Sequence, residues 1–173
     1  CSVSMDIHEM EKPEMIDLLK CLLYFAILGI LSFPAGRLFA AKTWDPEKFP
    51  YREYEWEDGG KIYDRLFNIR KWKDKVPDVS RMFPGIVPRK TLTRPGVEQL
   101  DGMIQETCVA ELTHLLLCVL AVPVLFIAPG WIGIVVFLID VLFGNLPFVM
   151  IQRYNRSRYI RTRSKIESIN SKL

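Results

Sequence analysis

The chain is poor in the side chains that most enzymes use for chemistry. Its 173 residues include two histidines and four cysteines. Cys108 and Cys118 stand ten apart, Cys21 lies in another apolar run, and no Cys-x-x-Cys occurs, so neither a zinc site nor a disulfide framework is encoded. Glycine-rich phosphate loops, nucleophile elbows and His-Glu-x-x-His segments are missing as well. Charge is absent in blocks: none occurs from Cys21 to Gly36 or from Leu115 to Ile139. Yet 25% of the residues are charged, 50% are hydrophobic and the mean hydropathy is +0.13. Such segregation excludes a disordered chain and an ordinary soluble enzyme, and it points to an integral membrane protein.

A helix needs about 20 apolar residues to cross a hydrocarbon core of about 30 Å. Residues 15–36 meet that length. The segment before them carries Asp6, Glu9, Glu11 and Glu14 rather than a basic cluster, which predicts a retained span and not a cleaved signal. The second apolar stretch, 108–151, would be about 66 Å long as one helix, so it must fold back. Ala128-Pro129-Gly130 supplies the turn, giving spans at 106–128 and 131–151 with Trp131 at the interface and kinks at Pro123 and Pro147. The expected fold is an all-α membrane protein with three transmembrane helices, one N-terminal span plus a C-terminal helical hairpin. Fourteen Lys/Arg fall between Arg37 and Arg94, seven lie in the C-terminal segment, and only two precede the central segment. The positive-inside rule then makes 37–105 and the basic tail 152–173 cytoplasmic and residues 1–14 extracytoplasmic.

The central segment is rich in aromatics, including Trp44, Tyr51, Tyr54, Trp56, Tyr63 and Trp72. Ile62, Leu66, Ile69, Trp72 and Val76 recur at helical spacing after Gly59-Gly60, which predicts an amphipathic helix near 61–76. Such a helix lies in the membrane plane or packs as part of a small cytoplasmic core. Phe83-Pro84-Gly85-Ile86-Val87-Pro88 and Arg94-Pro95-Gly96 read as turns and extended chain. The run Arg153 to Lys165 suits an anionic leaflet, or serves as topology signal. Because topology accounts for the basic segments, nucleic acid is not an expected partner. Asn155-Arg156-Ser157 is a chance sequon on that face.

The candidate chemistry lies at the entry to the second span. Glu111 and His114 are three apart and share one helix face, and Glu106 precedes them by about a turn and a half. Ionisable groups at the edge of hydrocarbon are costly unless paired, which makes them functional candidates. A carboxylate beside an imidazole suits a general base that deprotonates a hydroxyl. The competing reading is an interfacial histidine bonded to a neighbouring helix. Glu-x-x-His is also half of a di-iron motif, but no second such pair exists, so no metal is expected. Cys108 is a nucleophile or, more simply, a buried thiol; Asp140, mid-span, is neutral or paired within the bundle.

Three blocks in order carry a resemblance: Gly60-Lys61 through Asn68-Ile69-Arg70-Lys71-Trp72-Lys73-Asp74-Lys75 to Asp78, then Glu106-Thr107-x-x-Ala110-Glu111-Leu112-x-His114, then Asn145-x-Pro147 to Gln152-Arg153-Tyr154-Asn155-Arg156. Together they resemble the glycosyl-4,4′-diaponeurosporenoate acyltransferase family, over roughly residues 52–160. The resemblance implies transfer of a fatty acyl group to a sugar hydroxyl of a membrane glycolipid, a glucosylated carotenoid acid in that family. Its co-substrate would be an acyl thioester, acyl-CoA or acyl-carrier protein, with no bound cofactor. On that reading His114 is the general base, oriented by Glu111 and supported by Glu106. Arg70, Lys71 and Lys73 meet the donor's phosphates, while Arg153, Tyr154, Asn155 and Arg156 hold the thioester carbonyl or the sugar, or else anchor the membrane boundary. A non-enzymatic membrane subunit is the rival expectation.

Overall fold

A computed structural model describes residues 7–40, 43–76 and 96–172, which are helical or in turns and loops with no strand among them. Helix α1 (Ile7–Ala40) is followed by a 3-10 turn (Glu55–Glu57), α2 (Lys61–Phe67) and the short α3 (Ile69–Trp72). Next come α4 (Val97–Leu120), a short α5 (Val124–Ile127) and α6 (Trp131–Ile139). A π-helical turn (Asp140–Asn145) leads into α7 (Leu146–Asn170). Three runs are long and apolar enough to span a bilayer: Pro13–Ala40, Val97–Ile127 and Trp131–Asn170. This is the expected all-α arrangement, with one N-terminal span and two in the C-terminal half. The basic segment from residue 152 continues α7 to Asn170, because no proline or glycine follows Pro147 to stop it. The turns expected at 83–88 and at Arg94-Pro95 lie outside the described residues.

Two compact units divide the chain. The first comprises the described residues of Cys1–Lys42 with Val109–Val149. Its core joins buried Cys21, Val124 and Ala128 with Tyr24, Phe25, Ile127, Ile132 and Val136. The Tyr24 hydroxyl donates to the Leu120 carbonyl at 2.7 Å, satisfying a carbonyl that the end of α4 leaves unpaired. Trp131 Nε1 donates to Glu14 at the other end of α1. The hairpin closes at Gly133, where an added Cβ would strike the Ala128 carbonyl and lie 3.1 Å from that of Val124. The outward apolar surface is large: Leu23 is 64% and Ile30 72% exposed. Only lipid makes that exposure tolerable.

The second unit comprises the described residues of Thr43–Cys108 with Met150–Leu173. Gln105 and the Trp44 backbone exchange two hydrogen bonds of 2.7 Å, tying the start of the central segment to α4. Tyr63, Ile69, Ile151 and Tyr154 form its core, with Ile62, Trp72, Val76 and Met150 against it. The amphipathic stripe therefore packs as a small core, although Leu66 remains exposed. The single helix expected over 61–76 is broken. Asn68 adopts φ 53°, a left-handed conformation that asparagine tolerates, and its N–H caps Asp64. The Arg70 N–H donates to the Asp64 carboxylate, and Trp72 Nε1 donates to the Phe67 carbonyl across the break.

Candidate active site

In the first unit, α4 and the π-helical turn bring three polar side chains together. His114 Nδ1 lies 3.0 Å from Asn145 Oδ1. The Asn145 amide nitrogen donates to Asp140, to its carboxylate at 2.9 Å and its backbone carbonyl at 3.2 Å. Those two acceptors orient the amide, since only its NH2 group can face them. Its oxygen must then face His114, and an oxygen there accepts only if Nδ1 carries the proton. In the neutral imidazole this contact selects the Nδ1–H tautomer, with the lone pair on Nε2. Phe148 stacks on the imidazole with centroids 4.6 Å apart, which fixes the ring plane. The π-helical turn is what places Asn145 and Asp140 here; such turns are frequent at functional sites. Glu111 is buried one turn before His114 on α4.

In the second unit, a buried ion pair organises the central segment. Arg153 on α7 reaches Glu57 with Nε at 2.6 Å and a terminal nitrogen at 2.8 Å, and also donates to the Pro50 and Arg52 carbonyls at 2.9 Å. The Tyr63 hydroxyl and the Tyr54 N–H donate to the same carboxylate. Burial works against charge on Glu57, but the bonds from Arg153, Tyr63 and Tyr54 outweigh it and hold its carboxyl below the usual range. Burial, followed by the Glu57 carboxylate, pushes the Tyr63 phenol up. Arg156 donates to the Tyr51 carbonyl at 2.8 Å and its guanidinium lies over that tyrosine's ring.

The expected site residues thus separate. Glu111 and His114 fall in the first unit, while Glu106 is exposed in the second. Arg153 and Arg156, expected to face substrate, are buried and engaged within the fold, and Tyr154 is a core residue. Asn155 is half-buried on the same helix. Arg70 borders an open cavity with Lys61, Arg65, Arg158 and Arg161, whereas Lys71 and Lys73 do not line it. Sequence reasoning passed over Asn145 as a partner of His114, although an amide in an apolar run needs hydrogen-bond partners, which was a usable signal. Glu57 carried no such signal, since nothing local marks one acid among several as the buried one. Among the described residues, no group of three His, Cys, Asp or Glu forms a metal site.

Taken together, the fold and site define a polytopic helical membrane protein carrying a tautomer-locked imidazole within a span. The family model described as glycosyl-4,4′-diaponeurosporenoate acyltransferase matches residues 46–165, and the chain belongs to that family of acyltransferases. Among its relatives, the glycosyl-4,4′-diaponeurosporenoate acyltransferase of Staphylococcus aureus strain MRSA252 is 28% identical over 141 residues, covering 80% of this chain and 82% of the relative. The protein of the same description from strain USA300 is 27% identical over 143 residues with the same coverage. No solved structure matches the chain.

Proposed function

We propose that the protein transfers a fatty acyl group from an acyl thioester to a sugar hydroxyl of a membrane glycolipid, with His114 as general base. The observation that carries the mechanism is the Asp140–Asn145–His114 chain, because in the neutral ring it puts the proton on Nδ1 and the lone pair on Nε2. In this reading the sugar oxygen attacks the thioester carbonyl carbon and its proton passes to Nε2. That attack forms the C–O bond of the ester, and collapse of the tetrahedral adduct re-forms the carbonyl and breaks the C–S bond. The imidazolium then returns the proton to the departing thiolate. Asn145 is a positioning residue, and Glu111, a turn away on the same helix face, offsets the transient imidazolium charge. Glu106 is assigned to support of the same step from the preceding turns. Lys71 and Lys73 remain assigned, with Arg70, to attraction of an anionic donor, and Asn155 to the acceptor. Arg153, Tyr154 and Arg156 contribute by holding the central segment in place. Family membership supports the glycolipid acceptor, since the relatives' description names a glycosylated substrate.

The test is turnover of purified protein in lipid nanodiscs with acyl-CoA and a glucosylated lipid. Removing a general base costs about 10²–10⁴-fold in rate, so His114→Ala should lower kcat by that order with the fold intact. Product formed at the wild-type rate by the variant would remove His114 from the mechanism.

A further inference from the structure

The second unit holds a cavity of about 590 Å³ that the proposed proton chemistry does not use. That volume lies in the range of small-molecule sites, about 300–1,000 Å³. Its walls are two helical faces. On α2, Lys61, Asp64 and Arg65 fall at i, i+3 and i+4; on α7, Tyr154, Arg158 and Arg161 fall at i, i+4 and i+7. Gly59-Gly60 lets the faces approach. Gly60 has φ +78°, and a Cβ on it would sit 3.3 Å from the Tyr154 Cα. The Arg161 guanidinium donates to the Gly59 carbonyl.

Charge in this cavity is one-sided. Five cations line it, with Arg70 added to the four named, against the single carboxylate of Asp64, which pairs with Arg70 at 2.9 Å. Lys61 and Arg65 share Asp58 at 3.1 and 3.6 Å. Arg158 lies over the Tyr154 ring and makes no ion pair among the described residues. Two carboxylates thus serve three of the five cations, while Arg158 and Arg161 make no ion pair among the described residues; guanidinium forks around such an open space suit phosphate oxygens, which accept bidentate hydrogen bonds.

We propose that this cavity is a phosphate-binding site, with Arg158 and Arg161 as its principal ligands. Resting on the acyl-transfer reading, the phosphates are those of a nucleotide thioester donor. An anionic phospholipid headgroup offers the same chemistry, and the two sources are separable.

The experiment is equilibrium binding to the full chain in detergent, with coenzyme A, phosphate-free pantetheine and short-chain phosphatidylglycerol as probes. Coenzyme A should bind at least about tenfold tighter than pantetheine and weaken with added salt. Arg158→Gln with Arg161→Gln should lose about tenfold in that affinity, while Lys165→Gln, outside the cavity, stays within about twofold. Because Arg161 also holds the Gly59 turn, Lys61→Gln with Arg158→Gln is the second variant; both side chains have only exposed or ring partners. If the paired variants lose phosphatidylglycerol but not coenzyme A, the site stands and its phosphate is a lipid's. If neither pair weakens either probe by more than about twofold, the site is overturned. His114→Ala should retain coenzyme A affinity, so failure of the mechanism and failure of this site read out separately.

Discussion

Asn145 illustrates how much a single side chain decides. Its amide is oriented by Asp140 and in turn sets which nitrogen of His114 bears the proton. Asn145→Ala frees the ring to take the other tautomer, so kcat should fall by about tenfold or more with KM little changed, a split measured in steady-state assays. Glu57 makes a second prediction. Its carboxyl lies below the ordinary carboxylate range when folded, so the stability it contributes is complete above about pH 4.3 and is lost as pH falls through the depressed value. Thermal melts in detergent from pH 7 down to pH 3 should show that loss in the wild type. Glu57→Gln should remove that acid-dependent component. It also leaves Arg153 buried without its carboxylate, at a cost of about 3–5 kcal/mol at neutral pH. Little of this was legible beforehand. Glu111 and His114 were visible as an i, i+3 pair, but the His114–Asn145 contact spans 31 residues and the Arg153–Glu57 pair 96.

At the scale of elements, the hairpin after α4 depends on one missing side chain. Gly133 faces the Ala128 carbonyl so closely that any Cβ collides with backbone, which cannot swing away as a flexible side chain would. Gly133→Ala should therefore destabilise the first unit by about 1–3 kcal/mol, read as a lower melting temperature with the second unit's Arg153–Glu57 pair untouched. The turn itself was legible as Ala128-Pro129-Gly130, since proline and glycine act locally. The break at Asn68 was not. Periodicity ran straight through it, because Ile62, Ile69, Trp72 and Val76 keep one apolar face while the backbone between them changes hand.

For the whole molecule, three apolar runs and an uneven distribution of Lys and Arg predict an orientation with the end of α7 in the cytoplasm and the hairpin outside. Membrane-impermeant maleimide should label Gly130→Cys in intact cells and Ser171→Cys only after permeabilisation, with the native cysteines changed to serine. The reverse pattern would invert the topology. Span number and family kinship could be read from the linear chain, because burial in hydrocarbon demands about 20 consecutive apolar residues and the order of motifs is itself a one-dimensional property. Pairing is different. Which acid is buried, which arginines serve the fold and which line a cavity, and which atom of His114 holds its proton all follow from contacts between segments far apart in sequence. Those choices were settled by packing, because a buried polar group takes whichever partner the folded backbone brings within hydrogen-bond reach.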